Sequence, residues 1–326
     1  MTNTAQKSDA PYRYLFGPVP SRRLGLSLGV DLFEKKVCNF NCPYCECGPT
    51  VQMPLVRSEF VPFDDVAAEL RRFLPHPGLD FVTFSGNGEP TLYSRLADLI
   101  RLIRTLSDTR VAVITNSALI MDAEVRNDLA MADVVMPSLD AVTQEAMRRI
   151  NKSHPSILAS EMIDGLVAFR KEFAGEMDLE IFFCQGLNDD DEEVRLLADA
   201  ARRIGPDRVQ LNTIDRPPAD PRALPVTPER MQRLRAAFTD AGVANVEIIG
   251  AYAHAAKPDP AMPVEEQILS LILRRGVNEQ DLIDSLGLPE TDARTALDRL
   301  ISEGRITRID YDGRPFYHRP PKPKKK

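Results

Sequence analysis

Between residues 26 and 249, short apolar runs alternate with longer segments whose apolar positions recur every three or four residues. The runs cover 26–33, 81–85, 111–115, 134–137, 179–183, 209–211 and 246–249. Runs this short and this continuous predict strands buried on both faces. The segments between them, 63–74, 93–106, 122–129, 157–173, 191–204 and 228–241, predict amphipathic helices. In one of these, Leu96, Leu99, Ile100, Ile103 and Leu106 line a single face. Strand and helix in steady alternation predict a parallel sheet, open or closed into a barrel. In such folds the functional groups gather at the C-terminal ends of the strands.

The rhythm changes near residue 250. Residues 251–263 contain three prolines and predict a linker. Helical patterns follow at 264–275, 278–286 and 289–303, with Gly287 and Gly304 placed to stop the second and third. Segments 305–309 and 314–318 then flank Asp312-Gly313, a hairpin signal. Three helices and a hairpin predict a small winged helix-turn-helix domain over 264–318. Residues 1–14 and the basic tail 319–326 are expected to be disordered.

The 326 residues are 43% hydrophobic and 27% charged, the proportions of a globular protein. The most continuous apolar stretch, 111–121, is interrupted by Thr115, Asn116 and Ser117, short of the roughly 18 residues a membrane span needs. The first ten residues have no signal-peptide core. The expectation is a cytoplasmic protein without membrane contact. A net charge of −7 argues against a general polyanion binder.

Four of the five cysteines fall between Cys38 and Cys47, and Cys184 stands apart. In a reducing compartment, clustered thiols point to metal. Cys38, Cys42 and Cys45 have the spacing Cys-x3-Cys-x2-Cys just after the first strand. Three thiolates on one loop can hold three corners of a cubane and leave the fourth iron open to an exogenous ligand. With Cys47 they can also be read as a zinc tetrathiolate, although Cys45-x-Cys47 is a cramped bite for a tetrahedron. Tyr44 sits where a flat ring can pack near an adenine. Cys184 reads as a small buried hydrophobe.

This spacing, with an aromatic before the third cysteine, resembles the radical S-adenosylmethionine superfamily. The resemblance covers about residues 15–250 and implies a partial parallel (β/α)6 TIM-like barrel. It also implies a [4Fe–4S] cluster on Cys38, Cys42 and Cys45, S-adenosyl-L-methionine as cosubstrate, and an electron donor such as flavodoxin or ferredoxin. One electron would break the sulfur–C5′ bond, and the resulting 5′-deoxyadenosyl radical would abstract hydrogen from a substrate the sequence does not identify. Ser85-Gly86-Asn87-Gly88-Glu89-Pro90 is similar to the family's Gly-Gly-Glu-Pro segment. That likeness implies that Gly86, Asn87, Gly88 and Glu89 receive the methionine ammonium. Thr115 resembles the residue near the ligand carboxylate, with Ser117 in place of the usual glycine. Ser138 in Ser138-Leu139-Asp140 and Asn188 resemble contacts to the ribose, methionine or adenine portions.

Segments 17–25, 44–48 and 210–218 resemble an iron–sulfur oxidoreductase subgroup similar to wybutosine-forming and molybdenum-cofactor-cyclase-like enzymes. The second cysteine cluster of the molybdenum-cofactor cyclases has no counterpart here. Arg22, Arg23, Asn212, Asp215 and Arg216 lie near strand ends and are candidates to bind an anionic substrate. The competing reading is an iron–sulfur or zinc regulatory protein that binds nucleic acid through its winged helix. Residues 264–318 carry eleven acids against seven bases, and 289–303 carries four acids and two arginines. A groove-reading helix is normally basic, so sequence-specific DNA binding is not expected.

Overall fold

The computed structural model describes residues 12–21, 23–249, 264–272 and 276–320. The chain opens with an antiparallel hairpin of β1 (Leu15–Ser21) and β2 (Gly25–Val30). Then come α1 (Phe63–Phe73), β3 (Phe81–Phe84), α2 (Leu96–Leu106), β4 (Arg110–Thr115), α3 (Ala123–Leu129) and β5 (Val134–Pro137). Two helices, α4 (Gln144–Ile150) and α5 (Ala159–Glu172), lead to β6 (Glu176–Phe183). The unit closes with α6 (Asp191–Ile204), β7 (Arg208–Thr213), α7 (Pro228–Asp240) and β8 (Val246–Ile248). The eight strands form one sheet in chain order, and every neighbouring pair from β2 to β8 is parallel. This is the partial TIM-like barrel architecture. Among the described residues seven strands run parallel, one more than the expected sixfold repeat, and the last is only three residues long.

Burial explains the apolar runs. β3 and β5 are buried at every position, because helices cover the outer face of the barrel sheet and strand side chains pack against one another on the inner face. α2 turns Leu96, Leu99, Ile100 and Ile103 into the core, each fully buried. The acidic run before α6 is a helix N-terminus. The Asp190 side chain accepts from Glu193 N–H, acids fill the first turn, Arg202 and Arg203 fill the last, and Gly205 at φ +67° ends it. Buried Glu193 also accepts from Val142 N–H (2.5 Å), Thr143 N–H (3.1 Å) and Thr143 Oγ1 (2.7 Å), which fixes the start of α4.

Two elements of this unit have no counterpart in the sequence reading. β1 contains Pro18 and Pro20, which speak against a strand, but an edge position with a register shift between Phe16 and Val19 tolerates them. α4, seven residues between β5 and α5, was not expected either. Residues 12–14, expected to be disordered, are folded. Arg13 N–H and Tyr14 N–H donate to Glu69 (2.8 and 2.9 Å), and the Tyr12 ring meets Phe73 edge-on at 5.5 Å.

The C-terminal region contains α8 (Val264–Ile272), β9 (Val277–Asn278), α9 (Glu279–Leu286), α10 (Glu290–Ser302), β10 (Thr307–Tyr311) and β11 (Arg314–His318). These are the expected three helices and hairpin, with β9 added as a third strand in the order β10-β11-β9. Asn278 and Asp281 cap α9 reciprocally. Asp312 (φ +50°) and Gly313 (φ +71°) make the two-residue turn that the Asp-Gly pair predicts. Ile268, Ile272, Leu282, Leu297 and Leu300 form a core that also takes in Val19 from β1. The expected linker, 251–263, lies outside the described residues, as do 1–11 and 321–326 of the expected terminal segments. No described helix is long and apolar enough to cross a membrane.

Candidate functional site

The loop from Asp31 to Pro62 carries four cysteines over the C-terminal ends of the parallel strands. Val37 anchors it: its N–H donates to the Asn87 carbonyl (3.0 Å) and its carbonyl accepts from Glu89 N–H (3.1 Å). Asn41 N–H donates to the Asn151 carbonyl (2.9 Å), and the Cys45 and Pro43 carbonyls accept from Ala219 and Asp220 (3.1 and 2.9 Å). The loops after β3 and β7 and the end of α4 therefore hold the cysteine segment from three sides.

Cys38 Sγ accepts from Asn116 Nδ2 (3.3 Å) and Phe40 N–H (3.4 Å). Cys42 Sγ lies 3.6 Å from Asn151 Nδ2. Lys36 Nζ donates to Cys45 Sγ at 2.9 Å. Burial pushes the Cys38 thiol up to about 11, and burial followed by the charge of Asp140 pushes Cys42 up. Cys45 goes the other way. The neighbouring Cys47 side chain and the Lys36 ammonium hold it below the usual thiol range despite burial. Burial pulls Lys36 down, but Cys45, Cys47 and Cys38 outweigh it and keep the amine charged. Cys47 Sγ donates to the Gly86 carbonyl (3.1 Å). Cys184 is fully buried, and burial raises its thiol far above the ordinary range.

This donor set fits a [4Fe–4S] cluster. The cysteines are free thiols, and N–H donors already face three of the sulfurs, as bound thiolates require. Among the described residues no three His, Cys, Asp or Glu side chains converge as one metal ion demands. A cubane offers a separate iron to each cysteine and needs no such convergence. The zinc tetrathiolate has no geometric support.

The segment after β3 shows why glycines occupy it. A Cβ on Gly88 would lie 2.3 Å from the Val37 carbonyl oxygen and 2.4 Å from the Phe33 ring. Gly86 adopts φ +128°, and its Cβ would meet Asp31 at 2.7 Å. Asn87 is tied down: Asp31 accepts from its backbone N–H (3.1 Å) and from Nδ2 (2.7 Å).

Glu89 differs from expectation. Its carboxylate is 2% exposed and accepts from Thr91 N–H (3.0 Å), Thr91 Oγ1 (2.7 Å), Thr115 Oγ1 (2.6 Å) and Asn116 N–H (2.7 Å). A carboxylate has about four acceptor sites, so the protein itself occupies this one. Burial raises its pKa although every one of these bonds lowers it. Glu89 thus joins the β3 and β4 loops, and Thr115 spends its hydroxyl on that joint. Ser117 is buried at φ +65°, a conformation that explains why glycine suits the position.

Asn188, expected at the ribose or adenine, is also turned inward. Its Oδ1 accepts from Cys184 N–H (2.9 Å), and Nδ2 donates to the Asp140 and Phe182 carbonyls (both 2.8 Å). A fully buried amide must find such partners. Ser138 is half-buried at the end of β5, its N–H bonded to the Thr115 carbonyl (2.8 Å). Asp140 is the hub the sequence reading passed over. It accepts from Tyr44 OH (2.5 Å), Asn151 Nδ2 (2.6 Å) and Phe182 N–H (2.9 Å). Burial lifts its pKa to about 6 against those three bonds.

Among the described residues the candidate anion-binding side chains do not form one site: Arg23 and Asn212 meet at Glu180, and Arg216 lies between other carboxylates. Arg22 lies outside the described residues. Arg23 pairs with Glu180 (2.6 Å), which also accepts from Asn212 Nδ2 (3.2 Å). The Asp215 carbonyl accepts from Arg314 (3.5 Å). Arg216 is 3% exposed and lies between Glu46 of the cysteine loop (3.1 Å) and Asp281 of α9 (3.4 Å). Carboxylates from distant segments neutralise these arginines, and no sequence spacing announces such pairs. Lys36, Asn116 and Asn151 were likewise missed. Only the position of Lys36, two residues before Cys38 and hence on the same side of an extended segment, carried a signal.

A cubane-ready cysteine loop at the mouth of a partial parallel barrel defines an iron–sulfur enzyme class that uses S-adenosylmethionine. The chain belongs to the radical SAM superfamily, whose family model matches residues 36–199. It is 30% identical over 306 residues to a UPF0026 protein of Methanocaldococcus jannaschii, covering 93% of this chain and 94% of that one. It is 33% identical over 302 residues to a Brachyspira hyodysenteriae protein named GTPase Obg, covering 92% of this chain but only 44% of that protein. Among solved structures, Streptococcus suis SuiB bound to S-adenosylmethionine aligns with a TM-score of 0.52 at 17% identity. That alignment covers 68% of this chain and 50% of SuiB, a likeness of fold. The protein is a radical SAM enzyme, and its cofactors are a [4Fe–4S] cluster and S-adenosylmethionine.

Proposed function

We propose that Cys38, Cys42 and Cys45 ligate the cluster and that the enzyme abstracts hydrogen from a substrate held at the barrel mouth. Bound there, the cluster supplies the electron that splits S-adenosylmethionine into methionine and a 5′-deoxyadenosyl radical. The observation that carries this reading is the cysteine loop, clamped over the strand ends with donors aimed at its sulfurs. The backbone of Gly86, Asn87 and Gly88 receives the methionine ammonium, and Glu89 and Thr115 shape that segment. Ser138 borders the ligand, and Asn188 and Tyr44 act by holding the β5 and β6 loops around it. The reductant is a flavodoxin- or ferredoxin-type donor, and the setting is the cytoplasm.

Residues 264–318 act as a winged helix for substrate or partner recognition. The support is their acidic balance and their position: Tyr311 packs against the apolar cluster that contains Cys38, Phe40 and Cys184. The regulator reading has no comparable support, since Glu290 and Asp292 open α10 where a DNA reader needs positive charge.

The test is anaerobic reconstitution. The protein should bind about four irons, as one cubane requires, and should release 5′-deoxyadenosine and methionine when reduced with S-adenosylmethionine. Alanine at Cys38, Cys42 or Cys45 should abolish iron uptake, whereas Cys47→Ala and Cys184→Ala should retain it. Tight zinc with no iron uptake would overturn the reading.

A further inference from the structure

Lys36 and Cys38 flank Val37, whose β-bridges to Gln52 and Gly88 hold this segment extended. Residues two apart on an extended segment face the same way, so the Lys36 stem runs alongside the Cys38 side chain toward the other sulfurs. Its ammonium ends 2.9 Å from Cys45 Sγ. The nearby carboxylates have other partners: Glu89 is filled by Thr91, Thr115 and Asn116, and Glu46 pairs with Arg216.

We propose that Lys36 is a positioning residue for the cluster, holding a fixed positive charge and a hydrogen bond on the Cys45 ligand sulfur and thereby raising the cluster's reduction potential. The inference rests on the ligand assignment above and deepens it. Net charge and hydrogen bonds to the sulfurs are among the main determinants of such potentials. One-electron reduction adds a negative charge to the cluster. A cation fixed a few ångströms away in partly buried surroundings stabilises the reduced form more than the oxidised one. Three thiolates in a half-buried loop otherwise make reduction harder. Lys36 thus brings the cluster within reach of its electron donor.

The experiment uses the full reconstituted chain and three variants, Lys36→Met, Lys36→Gln and Lys36→Arg. Iron and sulfide content are measured first, then the midpoint potential by mediated titration followed by electron paramagnetic resonance of the reduced cluster. Lys36→Met and Lys36→Gln should hold iron but lower the reduced-to-oxidised ratio at fixed potential about tenfold, a shift of about 59 mV for a one-electron couple. Lys36→Arg, which keeps the charge, should stay near wild type. Unchanged midpoints in iron-replete Met and Gln variants would overturn the proposal. So would loss of iron from all three variants, which would make Lys36 an assembly residue. Loss from Met and Gln but not Arg would overturn it too, since the charge would then serve assembly of the cluster rather than its potential. Wild-type protein that takes up no iron would fail the ligand assignment, and that result appears before any variant is compared.

Discussion

Tyr44 lies flat on Phe182, with ring centroids 4.0 Å apart and planes 10° from parallel. The stack docks the cysteine loop onto the end of β6, and Asp140 secures it by accepting from the Tyr44 hydroxyl and the Phe182 N–H. One face of the aromatic ring in the cysteine motif is therefore spent on protein. What reaches the cofactor does so from a loop whose position the β5 and β6 ends dictate.

Glu89→Ala should lower stability as well as cosubstrate affinity. The substitution strands one buried and one part-buried N–H group and two hydroxyls, and hydrogen bonds to a charged acceptor are worth about 1.5–3 kcal/mol each. A loss of at least about 3 kcal/mol in urea denaturation is expected, with weaker S-adenosylmethionine binding in the folded fraction. An unchanged denaturation midpoint would contradict the bracing role.

Asp140 makes stability depend on pH. Its carboxyl is raised to about 6 in the fold, against about 3.9 in an unfolded chain. The native state therefore binds this proton more tightly. The group's contribution is greatest below about pH 4, declines as pH rises toward 6, and then levels off. The two-unit span corresponds to a change on the order of 3 kcal/mol. Asp140→Asn has no such proton, so the stability of wild type relative to the variant should fall between pH 4 and 6. A difference that stays flat across that range would refute the shift.

Arg216→Met should cost about 2–4 kcal/mol, because it removes the cation between Glu46 and Asp281. Breaking a buried pair costs about 3–5 kcal/mol, less here because Glu46 is partly exposed. Asp281→Asn should cost less, and the double variant should show less than the sum of the two. Additive losses would mean that the pair is not coupled.

Removing residues 264–326 tests the same contact on a larger scale. It uncovers Val19 and takes away Asp281, so the melting temperature of the remaining chain should drop by several degrees, about what 1–2 kcal/mol produces. A truncated chain with unchanged melting would show that the two cores are independent, as the Pro-rich segment alone suggests.

The alternating apolar runs carried the parallel sheet because strands buried on both faces leave an unbroken hydrophobic record, as β3 and β5 do. The cysteine loop was equally legible, since its Cys-x3-Cys-x2-Cys spacing is written along the chain. The C-terminal hairpin was readable for a similar reason: Asp312-Gly313 accepts the left-handed backbone that a two-residue turn imposes. β1 was hidden by its prolines, which only an edge position permits.

Side-chain direction was not written in the sequence. Glu89 and Asn188 have the residue types and positions of ligand contacts, yet both point inward. Whether a polar group faces a ligand or the protein depends in part on donors and acceptors that folding brings from 26 and 48 residues away. The same holds for Lys36 against Cys45 and for Arg216 between Glu46 and Asp281. Local spacing determined which elements form and which loop carries the clustered thiols. Long-range packing decided which charges surround that loop, because electrostatic partners are chosen by distance in space and leave no period in the chain.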